Sequence, residues 1–393
     1  MYAGVMHRHL LGRRAMLKSA SALAFLAVAP AACRDRGRPG AARPPEKETA
    51  TPVEAATPSS AAPALYFPPL SGGSWETTTP GDAGWNAAAL AETASWASAH
   101  RTTGLLILHR GRILYEGYWN FGSPTFASDV ASTQKSIVSV LAGAAIEQGF
   151  LRLDDAVSLH VGEGWSKAGA KDGDITFRHL VTMTSGLDDS FAYVAPPGTA
   201  WYYNNAAYHL TKRVLERATG IPIQQFMEDV LTRRVGMPAT TWRDRAFMKM
   251  PDGSPMSGLI MPARDMARFG LLALAGASWD GQPVLRDQAY WRASIESSQD
   301  INPSYGYLWW LNGKASHMLP VPNPPSRPGS LIREAPRDLY AAMGAGDNRI
   351  YVLPAHEAVV VRQGASANEA AAARSSFDTE FWRLLAPALP AAP

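Results

Sequence analysis

The chain of 393 residues contains a single cysteine, Cys33, so no disulfide can form within it. Its apolar run from Ala20 to Ala32 is too short to cross a bilayer. There is no large excess of positive charge: 37 Lys and Arg face 34 Asp and Glu. Nine of those bases but only three of the acids fall in the first 50 residues, leaving 28 bases against 31 acids beyond. A slightly acidic body gives no electrostatic case for nucleic acid as a partner. No internal repeat appears. His356-Glu357 has no second histidine at helical spacing, and no other cluster suggests a metal site, so no metal or cofactor is expected. Several histidines, among them His109, His179, His209 and His356, would permit a Ser-His-Asp hydrolase, but the Gly-x-Ser-x-Gly elbow is missing.

What is present begins with an export signal. Residues 1–33 carry Arg13-Arg14-Ala15-Met16-Leu17-Lys18, similar to a twin-arginine motif, followed by the apolar run. Cys33 follows Ala31-Ala32, where a lipoprotein anchor would be attached, although Pro30 fits that pattern poorly. The expected location is outside the cytoplasm, either periplasmic or tethered to a membrane through Cys33. Residues 34–65, rich in Pro, Ala, Thr and Glu without hydrophobic period, read as a disordered linker. With the ends set aside, residues 66–393 are long enough for one large core.

The folded part opens with a predicted hairpin, Leu105 to His109 and Ile113 to Tyr118, turning at Arg110-Gly111-Arg112. A helix is expected from Val130 to Gln148, with Gly149 as its C-terminal stop. From about 154 to 291 the pattern reads as mainly helical, including Ala206 to Thr219, Ile223 to Val235 and Pro262 to Ala275. Strand signals return at Tyr305 to Trp310, Leu339 to Met343, Ile350 to Leu353 and Ala358 to Gln363, before a closing helix from about 370 to 385. The simplest architecture is an α/β (α+β) fold, an antiparallel sheet flanked by helices with an inserted all-helical subdomain.

Three segments carry chemistry. Ser132 and Lys135 lie one helical turn apart on the same face, so the amine can take the proton that a serine must lose to become a nucleophile. Backbone N–H groups at the helix start would favour a developing oxyanion. Tyr203-Asn204-Asn205 supplies a phenol able to relay protons and, at Asn205, an amide able to bind a substrate carbonyl. Gly344-Ala345-Gly346-Asp347-Asn348, before a predicted strand, lets the backbone approach a ligand and offer an N–H. Taken singly, each segment could equally be helix surface, packed aromatic loop or ordinary turn.

In this order, with Tyr203 following Ser132 by 71 residues, the three motifs resemble those of the serine β-lactamase and penicillin-binding superfamily. His179 to Leu187, Ala263 to Gly270 and Tyr305-Gly306-Tyr307 resemble it as well, over roughly residues 85–385. The likeness is to the class C-type branch, which includes esterases and 6-aminohexanoate-dimer (nylon-oligomer) hydrolases. It implies a β-lactamase/transpeptidase-like fold with the site between sheet and helical subdomain. It also implies an acyl-enzyme on Ser132, Lys135 and Tyr203 sharing the general-base role, and oxyanion donors at the Ser132 N–H and near Asp347. Gly346 and Asn348 belong to the same candidate substrate segment.

One departure bears on the substrate. Where β-lactamases and D,D-peptidases have Lys or His opening a Lys-Thr-Gly-like triplet, this chain has Gly344. Asp347 would repel a substrate carboxylate unless Arg349 or another base compensates. The expected substrate is therefore a small ester or amide. A β-lactamase or D,D-peptidase, and a non-catalytic penicillin-recognising protein, remain the alternatives. Trp201, Tyr202, Tyr307, Trp309 and Trp310 either line an acyl pocket or belong to the core. Asp188 and Asp189 either meet a substrate amine or solvate their loop.

Overall fold

The computed structural model describes residues 64–72, 74–367 and 377–391. The expected export signal, Cys33 and all but the last two residues of the expected linker lie outside the described residues. Among the described residues no helix is long and apolar enough to cross a membrane.

The elements that position the site are α1 (Ala87–Ala99), β1 (Thr102–His109), β2 (Arg112–Tyr118), β3 (Ala127–Asp129), α2 (Gln134–Glu147), α3 (Asn205–Thr219), β4 (Thr241–Lys249), β5 (Pro255–Pro262), α4 (Ala263–Leu274), β6 (Trp310–Leu311), β7 (Tyr340–Gly344), β8 (Asn348–Leu353), β9 (Ala358–Gly364) and α5 (Phe377–Leu385). Six strands form one antiparallel sheet in the order β2-β1-β9-β8-β7-β6.

Both faces of this sheet are covered, which is why β1 and β9 read as near-continuous apolar runs. Alternate side chains go to opposite faces. Leu106, Leu108, Ile350, Val352, Val359 and Val361 pack with α2, α3 and α4, whereas Leu105, Ile107, Tyr351, Leu353 and Val360 pack with α1 and α5. The C-terminal helix contributes Phe377, Phe381 and Trp382 to that second core. The start expected for this helix, before residue 377, falls outside the described residues.

Two expectations are corrected. The stretch 154–291 is not all helical: β4 and β5 form a hairpin that pairs with β3 in a separate three-stranded sheet. The consecutive charged residues Arg243, Asp244 and Arg245 hide β4 from a reading based on β propensity, and strand pairing supplies what propensity does not. The strand expected over Tyr305 to Trp310 shrinks to Trp310–Leu311. Leu308 adopts φ +63 and Gly306 presses against the Ser294 carbonyl, so the chain bends where the composition suggested extension.

Candidate active site

Ser132 sits in a 3-10 turn, Ala131–Thr133, that runs directly into α2. The approach from β3 is sharp, and Ala131 takes φ +51, a conformation unfavourable for a residue with a Cβ. The surroundings enforce it. The Ala131 N–H donates to Asp129 Oδ1 at 2.8 Å, and Arg245 of β4 clamps both carboxylate oxygens of Asp129 at 2.7 Å each. The turn is closed by the Thr133 N–H, which donates to the Val130 carbonyl at 3.2 Å, and it holds Ser132 at the start of α2.

One turn further, Lys135 Nζ donates to Ser132 Oγ at 3.0 Å and to Asn205 Oδ1 at 2.9 Å. The side chain is 3% exposed, and its amine lies over the rings of Tyr203 at 4.7 Å and Tyr208 at 4.3 Å. Its hydrogen-bond partners are neutral, and no carboxylate forms an ion pair with it among the described residues. Burial, together with the positive charges of Arg245 and Lys212, holds this amine well below the ordinary lysine range. An uncharged amine at hydrogen-bond distance from a hydroxyl can accept its proton.

Tyr203 and Asn205 flank Asn204, the N-cap residue of α3. Asn204 caps α3 by accepting from the Ala207 N–H at 2.8 Å, and its amide donates to the Leu187 and Asp188 carbonyls at 2.8 and 2.9 Å. That anchoring directs the side chains on either side of it toward Ser132. The Tyr203 hydroxyl is hydrogen-bonded to Ser132; burial raises its pKa despite that bond and the nearby Arg349 charge, so it is a protonated phenol at neutral pH. Its ring stacks on Trp310 with centroids 5.7 Å apart.

The opposite wall is the end of β7 and the turn into β8. Gly344 packs against the turn that carries Ser132: a Cβ there would collide with the Val130 carbonyl and crowd the Thr133 N–H. A lysine or histidine therefore has no room at this position without displacing backbone. Gly346 makes the turn with φ +72. Asn348 does not face the cavity; its amide donates to the Ala345 carbonyl at 2.8 Å and its Oδ1 accepts from the Gly364 N–H at 3.2 Å.

Asp347 is buried, yet its charge does not stand alone. Arg349 donates to Asp347 Oδ1 at 3.4 Å, to both carboxylate oxygens of Asp378 at 2.8 Å, and to the carbonyls of Gly344 at 2.6 Å and Asn348 at 3.0 Å. These bonds occupy all five guanidinium N–H donors. Burial would raise the Asp378 pKa, but Arg349 and the Tyr351 hydroxyl outweigh it and leave the carboxyl below its usual range. Arg362, fully buried, donates to the carbonyls of Gly346, His100 and Ala365 and holds the turn from behind.

Between the two walls lies a cavity of about 330 Å³, floored by Ser132, Tyr203 and Asn205 and lined on its apolar side by Trp310, Leu319, Leu331, Ile332 and Met343. Asp378 and Thr379 close it from α5. Arg349 is the one cationic side chain among the described lining residues. Most of the apolar lining escaped the sequence reading because Leu319 and Leu331 sit in an irregular stretch without period. Asp378 lies far along the chain on an otherwise ordinary amphipathic helix.

Several candidates fall elsewhere. Trp201 is buried behind Tyr203 and packs on Tyr305 and Trp310. Tyr307 packs on Tyr290 and accepts from Arg178 at 3.0 Å, and Trp309 stacks on Phe269 in the core. Asp188 accepts from Ser190 and Ala192 within its own loop, and Asp189 accepts from Tyr202 Oη at 2.7 Å. Of the five aromatics offered as pocket lining, only Trp310 reaches the cavity. None of the histidines named as alternative bases is among the described residues that line the cavity; His179 accepts from the Thr176 N–H, and His109 from Trp85.

The family model for Beta-lactamase matches residues 52–374. An uncharacterised protein of Alkalihalophilus pseudofirmus is 22% identical over 66% of this chain and 82% of its own length. An acyltransferase of Monascus pilosus is 25% identical over 53% of this chain and 55% of its own length. Among solved structures, one from Bacillus anthracis bearing the name 6-aminohexanoate-dimer hydrolase superposes with a TM-score of 0.60 at 16% identity, covering 81% of this chain and 87% of that one. A penicillin-binding protein from Bacillus halodurans does so with a TM-score of 0.53 at 17% identity, covering 72% and 96%. These structural likenesses establish a β-lactamase/transpeptidase-like fold, as the motifs implied. The chain belongs to the Beta-lactamase family, within the serine β-lactamase and penicillin-binding superfamily of serine hydrolases and acyltransferases.

Proposed function

We propose that the protein is an esterase or amidase that acylates itself on Ser132, with Lys135 and Tyr203 moving the protons. The observation that carries this reading is the 3.0 Å contact of Ser132 Oγ with a buried amine that has only neutral hydrogen-bond partners. Lys135 takes the hydroxyl proton as Oγ attacks the substrate carbonyl. The resulting oxyanion is stabilised by the Ser132 and Asp347 N–H groups. Tyr203 protonates the departing alcohol or amine and is reprotonated through Lys135. Water, activated by the same pair, then releases the acid and restores Ser132.

The substrate follows from the cavity. Its aliphatic wall suits an apolar acyl group. A carboxylate beside the scissile bond would find no free cation: Gly344 leaves no room for one, and Arg349 has no spare donor. Arg349 and Arg362 together balance the charges of Asp347 and Asp378, so the missing cation, rather than repulsion from Asp347, disfavours β-lactams and D-alanyl peptides. The name of the Monascus pilosus relative favours a second reading, in which an alcohol takes the acyl group in place of water.

The test compares a short-chain nitrophenyl ester with a chromogenic cephalosporin on the protein and its Ser132→Ala variant, with an added alcohol in one arm. Ester turnover lost in Ser132→Ala, with little cephalosporin cleavage, is the expected result. An ester product formed with the alcohol would assign transfer. Fast cephalosporin turnover, or stable labelling of Ser132 by a β-lactam without ester turnover, would overturn the proposal.

A further inference from the structure

Behind Lys135 lies a second buried lysine. Lys212, on α3, is 5% exposed, and its Nζ donates to Ser257 Oγ at 2.6 Å and to the Ser257 carbonyl at 3.1 Å. It lies 4.3 Å from the Trp242 ring and 5.5 Å from the ring of Tyr208, the same ring that Lys135 approaches at 4.3 Å. The two nitrogens are therefore within about 10 Å of each other with one phenol ring as common neighbour. No carboxylate forms an ion pair with Lys212 among the described residues. A buried amine without an ionic partner is costly, and nothing in the acylation chemistry uses it.

The two amines differ in what surrounds them. Around Lys212, the carboxylates of Glu216 on α3, Asp244 on β4 and Asp129 on β3 favour its charged form, against Arg245 of β4. His209 on α3 is held neutral by burial, reinforced by both lysines and Arg245. Arg213 is tied to Asp252 and Ser254. Around Lys135, Asp189 is the one acid among the described residues that favours its charge; Arg245 and Lys212 oppose it, and the phenols of Tyr203 and Tyr208 are neutral.

We propose that Lys212 is a positioning residue for proton transfer: it takes the first proton that enters the buried cluster, and its charge across Tyr208 keeps Lys135 available as the base for Ser132. Burial brings Lys212 down to about 7, so it changes charge near neutrality, where such a guard has effect. The inference rests on the proposed role of Lys135, but it makes a claim about protonation that can be read without turnover.

The experiment follows the lysine side-chain carbon resonances of the full protein, labelled with carbon-13 lysine, through a pH titration. Lys135→Met identifies the Lys135 signal. Lys212→Met is expected to raise the Lys135 midpoint by on the order of one pH unit, whereas Lys212→Arg, which keeps the charge, leaves it in place or lower. Ser257→Ala, which removes one acceptor from Lys212, is expected to raise it by a smaller amount and serves if Lys212→Met does not fold. In the nitrophenyl ester assay the acid limb of kcat/KM should move with the midpoint while the plateau stays. An unchanged Lys135 midpoint in Lys212→Met, or in Ser257→Ala where that is the variant that folds, would overturn the proposal. Absence of Ser132-dependent turnover alongside a shifted midpoint would instead count against the esterase reading alone.

Discussion

The two walls of the cavity treat buried positive charge in opposite ways. On the wall made by α2 and α3, Lys135 and Lys212 are buried against hydroxyls, an amide, a carbonyl and aromatic rings, with no ion pair. On the wall made by β7, β8 and α5, Arg349 is buried with two carboxylates and two carbonyls, and behind it Arg362 of β9 is buried with three carbonyls. Desolvation penalises charge on both sides, but only the second wall compensates for it. The first wall therefore holds amines that can give up their protons, and the second holds fixed charges that shape a turn. In the proposed mechanism the first does the chemistry and the second keeps a backbone N–H in place.

The comparison breaks most visibly at Lys135. Lys135→Met should reduce ester kcat/KM by on the order of 10³-fold with little loss of stability, because a neutral base is replaced by a side chain of similar length. Tyr203→Phe should cost about 10²-fold and leave the acid limb where it is, if the lysine sets that limb. In the parent protein this limb should fall as pH drops through the lowered Lys135 value, since activity requires the unprotonated amine.

Arg349→Met tests the other wall. It strands Asp347 and Asp378 without their cation and should destabilise the fold by about 3–5 kcal/mol in urea unfolding. Asp378, by contrast, sharpens the comparison through acid. Its folded pKa lies below the usual 3.8, so the unfolded chain binds its proton more readily. The stabilisation is complete above that usual value and is lost as pH falls through the folded one. Asp378→Asn should flatten stability against pH only in this acid range. The smallest effect is expected from Met343→Ala, which enlarges the apolar side and should favour longer acyl chains by about tenfold at most in relative kcat/KM.

How much of this was legible beforehand depends on the kind of signal. Strands β1, β8 and β9 and helices α2 to α4 were readable because a sheet covered on both faces and amphipathic helices leave strong patterns. β4 was not, because its charged run Arg243-Asp244-Arg245 carries no strand signature and only pairing with β5 makes it a strand. The motif residues Ser132, Lys135, Tyr203 and Asn205 were legible from spacing, and the fold brings them within hydrogen-bond reach of one another. The aromatics Trp201 and Tyr307 misled because composition cannot tell a core ring from a cavity ring.

Order and spacing along the chain were enough to indicate the superfamily, to nominate a nucleophile with its amine, and to expose the missing cation at Gly344. Only the tertiary structure decided the electrical state of those groups. The Lys135 amine is held well below the ordinary lysine range by burial and by Arg245 and Lys212, which lie 110 and 77 residues away in the chain. Arg349 is denied to a substrate because Asp378, from the last described helix, completes its hydrogen bonds. Protonation and donor capacity depend on what surrounds an atom in space, and a linear sequence does not contain that neighbourhood until it folds.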